Sequence, residues 1–250
     1  MPGADDRASE LVRTEWRNRI AAEYTSAAIC QHLVLWLIQA GAPPDLIDAG
    51  LVIVGDELTH SRLAHEVYLA AGGEAAPAID QDQLGLRASG DGLLVDILTS
   101  ALLNFCLNET VAVPLFQHLR AGCTEPGARA ALDRILRDEV RHRDFGWDLL
   151  DWLVQSPLGP QVPALAEGLL PSMFGLMQQS YGVGNQVVAG DDGAMAMADR
   201  AWGLAPPRDY ADILTRTFAR DWAPRFAARG IGAAAAWARA LTPAARRTDP

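Results

Sequence analysis

Two pentads of one type, Asp56-Glu57-Leu58-Thr59-His60 and Asp138-Glu139-Val140-Arg141-His142, sit inside stretches whose apolar residues recur at helical spacing. Three residues on a helix turn through about 300°, so each Glu and the His three positions on leave from one face, one turn apart. A fold that buries such a face must give its polar atoms something to hold. Helical spacing runs through about 8–40, 45–71, 92–120 and 128–155, and no stretch alternates as a strand does, so the expected class is all-α.

The breaks between these stretches set the topology. Residues Ala40 to Pro44 separate the first two helices and Ala121 to Gly127 the second two; both breaks are short, so each pair should fold back as an antiparallel hairpin. The segment from Gly72 to Gly92 is long enough to run the length of the hairpins, the crossover that a ferritin-like four-helix bundle needs. A change in charge balance near 156–163 divides the chain into 1–159, with 23 Asp/Glu against 12 Arg, and 160–250, with 8 against 9. The second part is expected as a helical extension packing on the bundle, with helices near 164–181, 207–229 and 231–241 and breaks at Gly182, Gly184, Gly190 and Gly193.

The first and third helices each place one carboxylate in apolar surroundings: Glu23, and Glu109, the only Asp, Glu, Lys or Arg across 97–119. An ionised Glu in such a place costs several kcal/mol unless a positive group accompanies it. In an antiparallel hairpin, residues at equal height are equidistant from the turn. The midpoint of Glu23 and Glu57 is Ala40 and that of Glu109 and Glu139 is Thr124, both in the expected turns. Joined face to face, the hairpins bring four carboxylates and two imidazoles to one level. Two divalent ions would balance the four negative charges, and ligation by carboxylate and imidazole without thiolate favours iron or manganese over a closed zinc site.

Composition excludes several alternatives. All 21 basic residues are Arg, so lysine Schiff-base chemistry and the phosphate-loop lysine are ruled out. A net charge of −10 argues against nucleic acid as a partner. Cys30, Cys106 and Cys123 lack the paired spacing of a disulfide framework or zinc ribbon. The segment Met1 to Arg13 does not read as a signal peptide, and the apolar tracts read as buried helices, so a cytoplasmic protein with no membrane partner is expected.

The order Glu23, Glu57-x-x-His60, Glu109, Glu139-x-x-His142 on four successive helices resembles the ferritin-like diiron carboxylate superfamily over roughly residues 8–155. That resemblance implies two iron ions, as Fe/Fe or Mn/Fe, held by those six residues, with O2 as co-substrate. It also implies that Asp56 and Asp138 hydrogen-bond the outer nitrogen of a ligating His on the opposite helix. Arylamine N-oxygenases of the superfamily carry a further His four residues before the last ligand Glu, where this chain has Ile135. No Cys-x-x-Cys pair of the rubrerythrin kind occurs.

Ala27, Phe105, Cys106, Ala112 and Val113 lie about one turn from Glu23 or Glu109 and are expected to wall a small, dry pocket. Tyr24 points away from its neighbouring ligand, and His32, His65 and His118 are off the ligand face; Trp147 and Trp152 are expected in the core. The leading expectation is an oxidoreductase that activates O2 to hydroxylate, desaturate or N-oxygenate a small organic substrate. Its electrons would come from a ferredoxin or flavin reductase, and it would act alone or as a homodimer. The alternatives are a ferroxidase that handles iron and a metal-free helical scaffold.

Overall fold

The computed structural model describes residues 8–183 and 195–241; Gly184, Gly190 and Gly193 and the first part of the Met1–Arg13 segment lie outside them. Every regular element among the described residues is helical. Helix α1 (Glu10–Gln39) starts at Ser9, whose side chain accepts from the Val12 amide at 3.2 Å. The chain turns at 40–43, where Gly41 takes the left-handed conformation (φ +71°), and α2 begins at Pro44 and ends at Ala70. At Gly50 a Cβ would stand 2.7 Å from Cγ2 of Val34, so this glycine lets α1 and α2 approach closely.

The segment 72–92 contains one short 3-10 turn, Gln81–Gln83. It leaves from beside Ala8, whose amide bonds the Ala71 carbonyl at 3.2 Å, and by Gly85 it lies against the ring of His32. The connection therefore travels along most of α1. Helices α3 (Leu93–Gly122) and α4 (Pro126–Gln155) form the second antiparallel pair. Thr124 lies in their turn, where its amide and that of Glu125 both bond to the Ala201 carbonyl at 2.9 and 2.8 Å. The two hairpins meet along α2 and α4.

The winding of α3 departs from its sequence expectation. Within α3, residues Ala101–Glu109 are wound as a π-helix that ends on Glu109 itself. Packing against α4 accounts for its position. A Cβ on Gly146 would lie 2.7 Å from Cβ and 2.8 Å from the carbonyl carbon of Phe105, and the Cys106 thiol donates to the Gly146 carbonyl at 3.2 Å. A π turn shifts the register of everything after it, and such insertions concentrate at functional sites.

After α4 come α5 (Val162–Ser180), α6 (Met197–Ala201), α7 spanning 207–227 and α8 (Ala233–Leu241). Helix α7 contains a second π stretch, Phe218–Trp222. Phe174, Trp222, Phe226 and Trp237 from this region join α3 and α4 in one apolar cluster, with Phe226 packed edge-on against Trp147. Helix α3 is long and apolar enough to cross a membrane, and most of its apolar stretch is buried inside the protein.

The apolar core is divided. One cluster holds Cys30, Leu33, Ile53, Phe105, Val111, Phe145 and Leu149 with the later helices. The other holds Trp16, Ile20, Ala64, Val67, Leu119 and Leu132. On α1, α2 and α4 a polar position falls between the two, Glu23, Glu57 with His60, and Glu139 with His142, whereas on α3 Glu109 lies between Leu107 and Val111 of the first cluster.

Candidate metal centre

All six of these side chains are buried; Glu23 and Glu109, the most open, are each 8% exposed. They are arranged with approximate twofold symmetry. Nδ1 of His60 faces Glu57 at 3.5 Å, Glu23 at 3.7 Å and Glu139 at 3.7 Å. Nδ1 of His142 faces Glu57 at 3.4 Å, Glu109 at 3.8 Å and Glu139 at 3.8 Å. Glu57 and Glu139 thus turn one carboxylate oxygen to each imidazole, whereas Glu23 faces only His60 and Glu109 only His142. The two rings are 5.6 Å apart between centroids. Glu23, Glu57 and His60 form one group whose donor atoms could share a metal ion, and Glu57, Glu109 and His142 form another.

The outward sides of the imidazoles are tied down. Nε2 of His60 lies 3.3 Å from Asp138 and Nε2 of His142 lies 3.4 Å from Asp56, each aspartate reaching across from the other helix of the pair. Two arginines link the aspartates: Arg141 donates to Asp56 at 2.6 Å and Asp138 at 2.9 Å, and Arg134 donates to Asp138 and to Asp56 at 3.2 Å. Arg134 stands four residues before Asp138, a spacing that pairs opposite charges on a helix, and the sequence reading overlooked it. Ser26, three residues from Glu23, was overlooked as well; its hydroxyl donates to Glu57 at 2.9 Å.

Charge in the cluster is distributed by these contacts. Burial alone would depress His60, but the carboxylates of Glu23 and Glu57 overcome it and raise its pKa to about 10. Burial also opposes the charge on His142, which Asp56, Glu109 and Glu57 raise even further. Burial, reinforced by the charge of Glu57, pushes Glu23 up to about 7, and burial with the charge of Glu109 pushes Glu139 up. Glu57 is held low against its burial by both imidazoles, and Asp56 by His142 and Arg141.

The donor set fits a metal pair. Nδ1 of both histidines, Oε2 of Glu57 and Oε2 of Glu139 are buried without a hydrogen-bond partner, and all four belong to this one cluster. Buried polar atoms without partners are costly and uncommon, and metal ions would satisfy them together. No arginine among the described contacts reaches the four glutamates; Arg134 and Arg141 bind the aspartates instead. The buried carboxylate and imidazole groups could hold metal, and the set is compatible with a diiron site in a helical protein.

A cleft of about 460 Å³ between α1 and α3 opens onto Glu23, Glu57, Glu109 and Glu139. Of the five expected wall residues, Phe105 and Ala112 line it. Ala27, Cys106 and Val113 do not: each neighbours a position on the lining face and is turned about 100° from it, and Cys106 faces Gly146. The wall is also less apolar than expected, for Thr25, Ser26, Asn104, Asn108 and Tyr181 contribute to it. Tyr181 comes from the end of α5 and carried no sequence signal.

The remaining candidates lie elsewhere. Tyr24 is exposed, as is His32, and His65 is half-buried. His118 is paired with Asp209 at 2.9 Å on the surface. Trp147 is buried and donates to Thr110 at 3.0 Å. All three cysteines are free thiols in buried positions. No protein-family model, curated protein or solved structure matches the chain.

Proposed function

We propose that the chain is a dinuclear iron oxidoreductase of the ferritin-like diiron carboxylate type, in which α1 to α4 are the four-helix bundle and residues 160–250 an accessory extension. The observation that carries this reading is the pair of imidazoles with both Nδ1 atoms turned inward without partners and both Nε2 atoms tied to aspartates. Once a ring is neutral, such a division keeps its proton on Nε2 toward the aspartate and leaves the Nδ1 lone pair for a metal.

In this reading Glu23 and His60 would hold one ion and Glu109 and His142 the other, with Glu57 and Glu139, which face both imidazoles, available to either. Bound iron would supply the electrons and the open positions that reduction of O2 requires. The chain's own residues do the rest. Asp56 and Asp138, fixed by Arg134 and Arg141, hold the two rings in place. Ser26 orients one oxygen of Glu57. Phe105, Ala112, Leu115 and Phe116 give the cleft an apolar wall, and Asn104, Asn108 and Thr25 offer hydrogen bonds to a small substrate. A reductase would deliver electrons from outside.

Anaerobic Fe(II) loading followed by exposure to O2 tests this reading. The expected result is two irons per chain in a small particle that consumes O2. Many irons in a large hollow particle would point to iron handling instead, and no bound iron would leave a helical scaffold.

A further inference from the structure

One buried charge next to the cleft has no part in the metal site. On α1 the cleft-lining residues Ala22, Ser26 and Ile29 follow helical spacing, and the same stripe carried back one turn reaches Arg19. Across from it on α3 the cleft is walled by Leu115 and Phe116. The Arg19 guanidinium lies 5.8 Å from the Phe116 ring centroid and 4.5 Å over that of Trp16.

Arg19 is only 7% exposed. Its Nε and Nη2 each donate to Glu15 at 3.2 Å, Nη2 also approaches the Gly203 carbonyl at 3.4 Å, and Tyr210 lies beside the group. Nη1 has no hydrogen-bond partner and is closed to solvent. A charged donor buried without an acceptor is destabilising, and in a chain of net charge −10 an acceptor of its own would be easy to supply.

We infer that Arg19 is the anion anchor of the cleft and that the substrate is an organic acid. Its carboxylate bonds Nη1, and its apolar body lies along Phe116, Leu115 and Ala112 toward the glutamates. Arg19 and Glu23 are four residues apart on α1, a rise of about 6 Å, so the position oxidised is a few carbons from the acid group. Entry requires the Phe116 ring to turn aside, the looser of the two stacked neighbours. The substrate class rests on the metal reading above, whereas the anion site does not.

Binding of hexanoate and of its neutral counterpart hexanamide to the metal-free protein, measured by calorimetry, separates the two claims. Hexanoate should bind at least about tenfold more tightly, the range of a charge-assisted hydrogen bond. Arg19→Gln, with its helical circular dichroism unchanged, should erase that preference. Glu15→Gln, which removes the carboxylate competing for the guanidinium, should tighten hexanoate several-fold, and it decides the matter if Arg19→Gln does not fold. Equal binding of the two probes, no binding of either, a preference that survives Arg19→Gln, or an unchanged affinity in Glu15→Gln would overturn the anion site. Normal iron loading without an anion preference removes this inference alone; an anion preference in a chain that loads no iron removes only the metal reading.

Discussion

Asp138 stands 3.3 Å from Nε2 of His60, a histidine on another helix, and Asp56 repeats the relationship with His142 at 3.4 Å. Each aspartate directly precedes a glutamate of the cluster, so one short motif supplies a donor to its own helix and a support to the other. Asp138→Asn should therefore weaken metal binding by about 10–100-fold, the usual effect of losing such a support. Competition with a chelator for Mn(II) measures it, and an affinity unchanged in this variant would show that the aspartate serves the fold only.

The cluster predicts unequal losses for different glutamates. Glu109 faces only His142, whereas Glu57 faces both imidazoles. Glu109→Ala should lose the ion beside His142, with the other retained or weakened, and Glu57→Ala should lose both. Iron per chain by elemental analysis distinguishes them; full loading of Glu109→Ala would contradict the arrangement.

Metal uptake should release protons. Without metal, His60 holds its proton up to about pH 10, and Glu23, raised to about 7, is partly protonated at neutral pH. Ligation requires both groups to lose those protons, so apparent affinity should rise with pH across the neutral range. Titrating Mn(II) into weakly buffered protein at pH 7 should acidify the solution, and uptake without proton release would contradict this account.

Gly146 is the point at which α4 admits the π stretch of α3. Gly146→Ala would force a Cβ against the Phe105 backbone, costing on the order of 1–3 kcal/mol. Thermal unfolding should show the loss. Because the π stretch ends on Glu109, the ion beside His142 should also weaken more than the one beside His60.

The cluster was legible in the sequence because heights in an antiparallel hairpin follow from counting. Ala40 and Thr124 lie in the observed turns, and the structure brings Glu23, Glu57, His60, Glu109, Glu139 and His142 together. Helix boundaries were readable for the same reason, since the apolar period is long and unbroken. The π stretch was not, because no Gly or Pro within Ala101–Glu109 announces it and its cause, Gly146, is on another helix. A regular helix was assumed there, and Cys106, inside the stretch, faces Gly146 and not the cleft; Val113 and Ala27, both in regular helix, each sit one position past the lining face. Tyr181 and Arg19 enter through tertiary packing, which has no counterpart in local spacing.

Anomalous diffraction at the iron edge, from crystals loaded anaerobically with Fe(II), addresses the metal pair most directly. Two peaks are predicted, one at coordinating distance from Nδ1 of His60 and one from Nδ1 of His142, with Glu57 and Glu139 between them. Absence of peaks in this layer, or iron found only at surface carboxylates, would contradict the account.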